Sequence, residues 1–238
     1  MKNIFLLLFI TSLFSCKSEN ANNANFGSYP DVKVKSAMKN VMWKGELAGK
    51  INLDTIADKT GLYGIGPVSF LRGEILVKDG ECFISEVVTD STMTVRKNRD
   101  VSAPFFVYAN VTEWQEEELP AAVKSIGDLE KYVDKKTQNY KRPFAFKLSG
   151  KVNSALIHIQ NLPPGTKVSS PKEAHSGQVK YELGAEEVEI IGFFSTEHKG
   201  IFTHHDTYLH LHLITKDERK MGHLDVVELG EMRLYLPK

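Results

Sequence analysis

Short apolar runs separated by turn-forming residues recur along the chain and predict β-strands. These runs are rich in β-branched, aromatic and leucine residues, and each is shorter than a typical globular helix. The predicted strands are 73–78, 82–88, 104–111, 144–148, 188–194, 208–214 and 232–236. Between the first two runs stands Asp79-Gly80, a pair that adopts the positive φ angles of a tight turn at low cost. We therefore predict a β-hairpin across residues 73–88.

Helical patterns are fewer. Ile126, Leu129 and Val133 recur at helical spacing and predict a helix over 125–136. A short helix is predicted over 54–60, because Gly61 is suited to the position that follows a helix C-terminus. The predicted fold class is therefore α+β and mostly β. Acidic, proline-containing and helical sequence over 115–145 separates two β-rich halves and allows a subdivision there.

The first residues have the pattern of an export signal. Lys2 precedes an apolar run over 4–14, which is shorter than the roughly 20 residues that a helix needs to cross a bilayer. We interpret residues 1–15 as a signal peptide. Cys16 follows directly and resembles the lipid-modified cysteine of a bacterial lipoprotein signal. The alternative is a plain secretory signal with an incidental cysteine.

The residues after Cys16 are rich in Asn, Ser and Ala and bury too little apolar surface to fold. We predict a lipid-anchored flexible tether over 16–40 and a folded domain over 41–238. On this interpretation the protein is exported and contacts a membrane only through its lipid, facing the periplasm or the cell surface.

Composition and charge exclude several classes of protein. The chain of 238 residues is 42% hydrophobic and 25% charged, which is typical of a globular protein. Lys and Arg number 30 and so do Asp and Glu, so no basic excess indicates a nucleic acid as partner. Two cysteines cannot form a disulfide scaffold. We expect Cys82 to be a buried thiol in a strand, with no intramolecular disulfide.

Three histidines have the spacing of a metal site. His210 and His212 lie two residues apart in an apolar strand, so both side chains point to the same face. His223 follows after a polar, glycine-containing stretch that reads as a loop between antiparallel neighbours, so a third imidazole can return to the same place. Three imidazoles with an open position suit catalytic zinc or another divalent metal. The alternative is a pair of half-buried histidines satisfied by their neighbours.

Other histidines compete for this assignment. His204 and His205 are adjacent in sequence and would point apart on a strand, so at most one of them joins the site easily. A polar loop is the simpler interpretation of that segment. His175 and His198 stand among polar residues and are expected to be solvated.

Several ordered blocks together resemble the bacterial alpha-acetolactate decarboxylase family. The most specific block contains the three histidines. The blocks are 61–66 with 71–74, 103–106, 142–146, 191–193, and 208–215 with 222–223.

The resemblance implies two β-sheet-rich halves with a zinc site in the cleft between them. It implies that His210, His212 and His223 are the metal ligands and that Glu74 is the active-site carboxylate. The implied reaction is the decarboxylation of 2-acetolactate, a small-molecule substrate, to acetoin. Zinc or another divalent metal would act as a Lewis acid on the ketone, and a positioned acid such as Glu74 would supply a proton. The oligomeric state stays open.

The sequence also departs from the family. Where the family has an arginine suited to the substrate carboxylate, this chain has His158 or Gln160, and neither offers a permanent two-pronged charge. Arg72 could supply a charge, although a solvated turn residue is the simpler interpretation. We also expect the family's further glutamate, which comes after the last strand, to be lacking. Two alternatives therefore stay open: a divergent metalloenzyme for another hydroxy-keto acid or ester, and a non-catalytic lipoprotein module stabilised by its metal.

Overall fold

The computed structural model describes residues 31–204 and 206–238. The predicted signal peptide and Cys16 lie outside the described residues. The strands are β1 (Lys33–Lys35), β2 (Ile51–Asn52), β3 (Leu62–Pro67), β4 (Glu74–Lys78), β5 (Glu81–Thr89), β6 (Thr92–Lys97), β7 (Ser102–Ala103), β8 (Phe106–Asn110), β9 (Trp114–Glu118), β10 (Phe144–Ile159), β11 (Val179–Leu183), β12 (Glu186–Phe194), β13 (Leu209–Thr215) and β14 (Met221–Pro237). The helices are α1 (Met38–Lys44), α2 (Ile126–Lys136) and α3 (Pro171–Ala174), with short 3₁₀ turns at Leu53–Thr55 and Ser69–Leu71.

Two six-stranded sheets form the body of the protein, so the prediction of a mostly β fold with two sheet-rich halves is confirmed. The first sheet has the order β1-β8-β3-β4-β5-β6 and the second has the order β11-β10-β12-β13-β14-β9. β14 pairs with β10 as well as with β13, so β10, β12, β13 and β14 close into a ring. No helix among the described residues is long and apolar enough to span a membrane.

The two sheets pack against each other through a shared apolar core. Ile65, Leu76 and Phe83 of the first sheet contact a cluster that includes Phe193 and Ile214 of the second. These side chains are at most 1% exposed. Apolar surface removed from water in this way stabilises a fold by about 25 cal/mol per Å², so the interface fixes how the sheets sit on each other.

The hairpin and the longer helix are confirmed. β4 and β5 pair through Lys78 and Glu81, with Asp79 and Gly80 at positive φ between them. α2 begins at Ile126 because Ser125 caps it, and the Asp128 carboxylate in turn accepts from the Ser125 backbone.

The helix predicted over 54–60 is wrong beyond its first turn. A 3₁₀ turn covers Leu53–Thr55, and the Asn52 side chain caps it by accepting from the Asp54 N–H. Ile56 then leaves the helical conformation, and its side chain enters the core of the first sheet. Burial of this apolar side chain therefore overrides the local helical pattern.

The predicted tether ends too late. β1 pairs with β8, and α1 begins at Met38, whose side chain is 7% exposed, so the folded part begins before residue 41. The segment predicted as a boundary over 115–145 contains β9 and α2. Both pack on the second sheet, so the chain passes between the sheets just before β9.

Candidate metal centre

Three buried imidazoles converge at the middle of the second sheet. His210 and His212 point to one face of β13, and His223 of β14 stands directly opposite His212 in the antiparallel ladder. Their residues are 2%, 0% and 9% exposed, respectively. The alternation of leucine and histidine in β13 therefore places both histidines on one side of the strand, as predicted.

The three side chains, here called the three-histidine cluster, are close enough to hold one ion. Each histidine offers one ring nitrogen, and these three nitrogens all lie within 4.8 Å of one another. Nδ1 of His210 and both ring nitrogens of His212 have no hydrogen-bond partner among the described residues. An unpaired buried polar atom costs about 1–3 kcal/mol. A bound cation would take one nitrogen of each ring, the one without a hydrogen, so the residues present fit a metal.

Burial sets the charge state of the cluster. Desolvation lowers the pKa of His210 and His223 well below the usual value for histidine, and it lowers the pKa of His212 to about 3. The rings are therefore neutral at physiological pH. A metal-binding histidine must be neutral, so the environment prepares the cluster for a metal ion.

Glu74 brings a carboxyl group to the cluster from the first sheet. It stands at the start of β4, is 2% exposed, and its Oε1 accepts a hydrogen bond of 3.2 Å from the Gln160 N–H. Its Oε2 lies 3.7 Å from Nε2 of His212. Desolvation raises the pKa of Glu74 well above the usual value for a carboxyl group. The site therefore combines neutral imidazoles with a carboxyl group whose charged form is disfavoured by burial.

A small cavity of about 30 Å³ opens beside the cluster and is called here the site cavity. Part of its wall is apolar, and none of its described lining residues is Lys or Arg. The lining comprises Met38, Met42, Pro67, Leu71, Glu74, Phe105, His158, Gln160, His175, His204, His210 and His223.

Comparison with known proteins identifies this architecture. The sequence model described as alpha-acetolactate decarboxylase matches residues 35–238. The chain belongs to the alpha-acetolactate decarboxylase family. None of the curated protein sequences compared with the chain matches it.

Solved structures of this family share the fold. Alpha-acetolactate decarboxylase from Bacillus subtilis strain 168 is 21% identical over 87% of this chain and 85% of its own, with a TM-score of 0.72. Acetolactate decarboxylase from Bacillus subtilis subspecies spizizenii gives 21% identity over the same shares and a TM-score of 0.73. A Staphylococcus aureus protein of unknown function, described as similar to alpha-acetolactate decarboxylase, is 16% identical over 86% and 84%, with a TM-score of 0.70.

The two residues that the sequence offers in place of an arginine lie side by side. His158 and Gln160 both line the site cavity, so the sequence alternatives are both present in the wall. His158 Nδ1 lies 2.7 Å from Oδ1 of Asp225, and the His158 ring stacks on His223 with centroids 4.6 Å apart. His158, His223 and Asp225 also offer donor atoms within 4.8 Å of one another.

Asp225 contacts His158 but is not among the site residues that the sequence predicts. Its signal is present, since it lies two residues after His223 on the same strand and so shares a face with it. Only the pairing of β14 with β10 shows that His158 stands opposite His223 and within reach of Asp225.

Two expectations about the remaining histidines need correction. His175, expected to be solvated, is half-buried at the end of α3 and lines the site cavity. His198 is also half-buried, because it bonds the Ser195 hydroxyl at 2.7 Å and stacks on Phe202. His204 lines the site cavity, and its ring centroid lies 5.2 Å from that of His223, whereas His205 lies outside the described residues.

The exposure of Arg72 and the burial of Cys82 agree with the sequence predictions. Arg72 is exposed and lines a separate cavity of about 610 Å³ together with Phe70 and Leu162. Cys82 is 4% exposed, and burial raises the pKa of its thiol to about 12. A thiol with so high a pKa is a poor nucleophile at neutral pH.

Proposed function

We propose that this chain is a metal-dependent decarboxylase that converts 2-acetolactate to acetoin. The observation that carries the proposal is the meeting of the three-histidine cluster with Glu74, which is buried and 3.7 Å from His212. Membership of the alpha-acetolactate decarboxylase family supports the same reaction.

Zinc is the proposed metal, because three neutral imidazoles with an open position are a usual donor set for catalytic zinc. His210, His212 and His223 would hold it. When bound, the ion would act as a Lewis acid toward the substrate's oxygen atoms. The chain's own contribution is to keep these rings neutral and held by two paired strands.

Glu74 is the proposed proton donor. The reaction breaks the bond between the carboxylate and the carbinol carbon, releases carbon dioxide and requires one proton on a carbon of the remaining hydroxyketone. Burial raises the pKa of the Glu74 carboxyl group, because it disfavours the charged form, and so favours the protonated donor. Its Oε1 is fixed by the Gln160 N–H, so Oε2 is the atom placed to give the proton. The same carboxyl would regain a proton when product leaves.

The apolar wall excludes water from the reacting atoms. Met38 and Met42 of α1, with Leu71 and Phe105, cover the site cavity, whose volume fits little more than a water-sized group. A substrate of several carbon atoms therefore enters only when wall side chains move. Methionine suits this role, because its unbranched side chain changes rotamer easily.

The test is acetoin release by zinc-loaded protein supplied with 2-acetolactate. We expect turnover by the wild type, a loss of metal and activity in His212→Ala, and retained metal with reduced turnover in Glu74→Gln. A zinc-loaded wild type that releases no acetoin beyond the His212→Ala background would refute the proposal.

A second candidate is a metalloenzyme for another hydroxy-keto acid or ester. The described lining of the site cavity contains His158 and Gln160 and no Lys or Arg, which favours a substrate that is less anionic at that end. A screen of hydroxyketones, their esters and their acids separates the two. Strict dependence on a free carboxylate excludes the second candidate.

We also propose that the protein is exported and anchored through a lipid on Cys16. The proposal is supported by the short apolar run over 4–14 that directly precedes this cysteine. Mass spectrometry of the N-terminal peptide should find a lipid on Cys16 in membrane fractions, and Cys16→Ser should release the protein from them. An unmodified Cys16 in a soluble mature protein would support the plain secretory alternative.

A further inference from the structure

A buried amide oxygen of the site cavity has no hydrogen-bond partner among the described residues. The atom is Oε1 of Gln160, a residue that is 5% exposed. The other end of the amide is held, because its Nε2 lies 3.4 Å from Nε2 of His158. A fixed and unpaired acceptor beside the reacting carboxyl indicates a ligand that donates a hydrogen bond.

The orientation of this amide follows from Asp225. A carboxylate can only accept, so the 2.7 Å contact between Asp225 Oδ1 and His158 Nδ1 places the imidazole hydrogen on Nδ1. In that tautomer Nε2 of His158 is an acceptor. It therefore accepts from the NH₂ group of Gln160, and the amide oxygen of this cavity-lining residue is left for a ligand.

The arrangement differs in kind from an arginine at this place. An arginine presents donors and a permanent charge to a carboxylate. Gln160 in this orientation presents an acceptor. The donor that a hydroxy acid or hydroxyketone carries is its hydroxyl group.

We propose that Gln160 Oε1 accepts a hydrogen bond from the substrate's hydroxyl group and that Asp225, acting through His158, is a positioning residue that holds the amide in this orientation. The inference rests on the proposed function in placing an α-hydroxy carboxylate or α-hydroxyketone in the site cavity. It assigns specificity to the hydroxyl rather than to a charged contact with the carboxylate.

A pair of unreactive ligands tests the hydroxyl contact. 2-Hydroxy-2-methylbutanoate and 2,2-dimethylbutanoate have the same carboxylate and carbon skeleton and differ by a hydroxyl in place of a methyl group. Their dissociation constants are measured calorimetrically on the zinc-loaded full-length chain. The ratio of the two dissociation constants measures how much the hydroxyl group contributes to binding. Comparing this ratio between the wild type and a variant forms a double-mutant cycle, in which one change is in the ligand and the other is in the protein.

Gln160→Met removes the acceptor at nearly constant size. We expect the preference for the hydroxy acid to fall about tenfold, which corresponds to about 1.4 kcal/mol. Gln160→Glu keeps an acceptor at this position. Any repulsion between the new carboxylate and the ligand carboxylate affects both ligands equally, so the ratio of their dissociation constants should stay near the wild-type value. Gln115→Met, on the exposed surface of β9, is the matched control and should change nothing.

Asp225→Ala tests the positioning role. Nitrogen NMR of the wild type should show the His158 hydrogen on Nδ1, and the variant should lose this bias together with part of the ligand preference. Zinc content, measured for every variant, should stay at one per chain. A second zinc ion that disappears in Asp225→Ala would overturn the inference in favour of a metal site at His158, His223 and Asp225.

The outcomes separate this inference from the proposed function. Equal weakening of both ligands by Gln160→Met, or no change, overturns the hydroxyl contact even if the enzyme releases acetoin. A Gln160-dependent preference in a protein that does not release acetoin supports the contact and refutes the reaction.

Discussion

Glu74 Oε2 lies 3.7 Å from His212 Nε2, across the interface between the two sheets. One residue begins β4 of the first sheet, and the other is in β13 of the second. The candidate site therefore exists only when the sheets are packed together.

Glu74→Gln should lower kcat at least about a hundredfold, the usual contribution of a positioned proton donor. The amide keeps the size of the side chain and an acceptor for the Gln160 N–H but has no carboxyl proton to give. Steady-state acetoin release, with zinc content measured on the same sample, checks the prediction. Unchanged kcat with bound zinc would remove Glu74 from the mechanism.

Metal binding should raise the thermal stability of the protein. An ion that binds only the folded state contributes about 2.7 kcal/mol at a hundredfold excess over its Kd. We expect zinc to raise the Tm of the wild type, chelation to reverse the rise, and His212→Ala to show neither effect. His198→Ala is the matched control, since His198 bonds Ser195 outside the site cavity and should leave the zinc response intact.

Acid should destabilise the metal-free protein. Burial lowers the pKa of His210, His212 and His223, so below about pH 6.5 the unfolded chain binds protons that the folded protein excludes. The free energy of unfolding then falls with falling pH, by up to about 1.4 kcal/mol per pH unit for each proton. Glu74 has the opposite effect on the free energy of unfolding. Its pKa is raised in the folded state, so above about pH 4.5 the folded protein holds a proton that the unfolded chain releases.

Denaturant unfolding of the metal-free protein between pH 5 and 8 measures this dependence. Glu74→Gln should make the loss on the acid side steeper, since the opposing proton is gone. It should also abolish the decline in stability that a carboxyl group with a raised folded-state pKa imposes as the pH rises from about 4.5 toward that pKa. A wild type whose stability is flat from pH 7 to 5 would contradict the assigned charge states.

Gly192→Ala should destabilise the fold and weaken metal binding. A Cβ at Gly192 would come within 2.5 Å of the Phe146 ring and 2.7 Å of a Leu211 methyl group. Overpacking of this kind costs about 1–3 kcal/mol. Leu211 lies between His210 and His212, so its displacement also disturbs two candidate ligands.

Gly184→Ala provides the comparison for this prediction. A Cβ there meets nothing within 4 Å, so the substitution should leave stability and zinc affinity near the wild type. Denaturant midpoints and zinc titrations of both variants are the measurements. Equal midpoints for the two variants would show that the ring of strands adjusts without cost.

The sequence predicts strands where leucine, β-branched and aromatic residues are concentrated. The predicted bounds of β13 and β5 are within one residue of the observed ones at each end. β3 is missed although it is buried along its whole length, because two of its six residues are glycines and its last is a proline. β10 and β14 extend far beyond the predicted segments, because their remaining residues alternate with polar ones and their pairing contains register shifts. Such irregular pairing is a property of the partner strand and has no local signal.

The residues of the candidate site also fall into two groups, those that a local sequence pattern brings together and those that only the tertiary fold brings together. His210 and His212 are two residues apart, so a local pattern places them together. The nearness of Glu74 followed only from the family resemblance, since 138 residues separate it from His212. The contact of Asp225 with His158 depends on strand pairing that the sequence does not encode locally.

The origin of these groups on separate sheets has a consequence for how substitutions act. All three imidazoles belong to strands of the closed ring, whereas the carboxyl group belongs to β4 of the first sheet. A substitution that loosens the packing between the sheets therefore displaces the proton donor while the metal donors stay on their own paired strands.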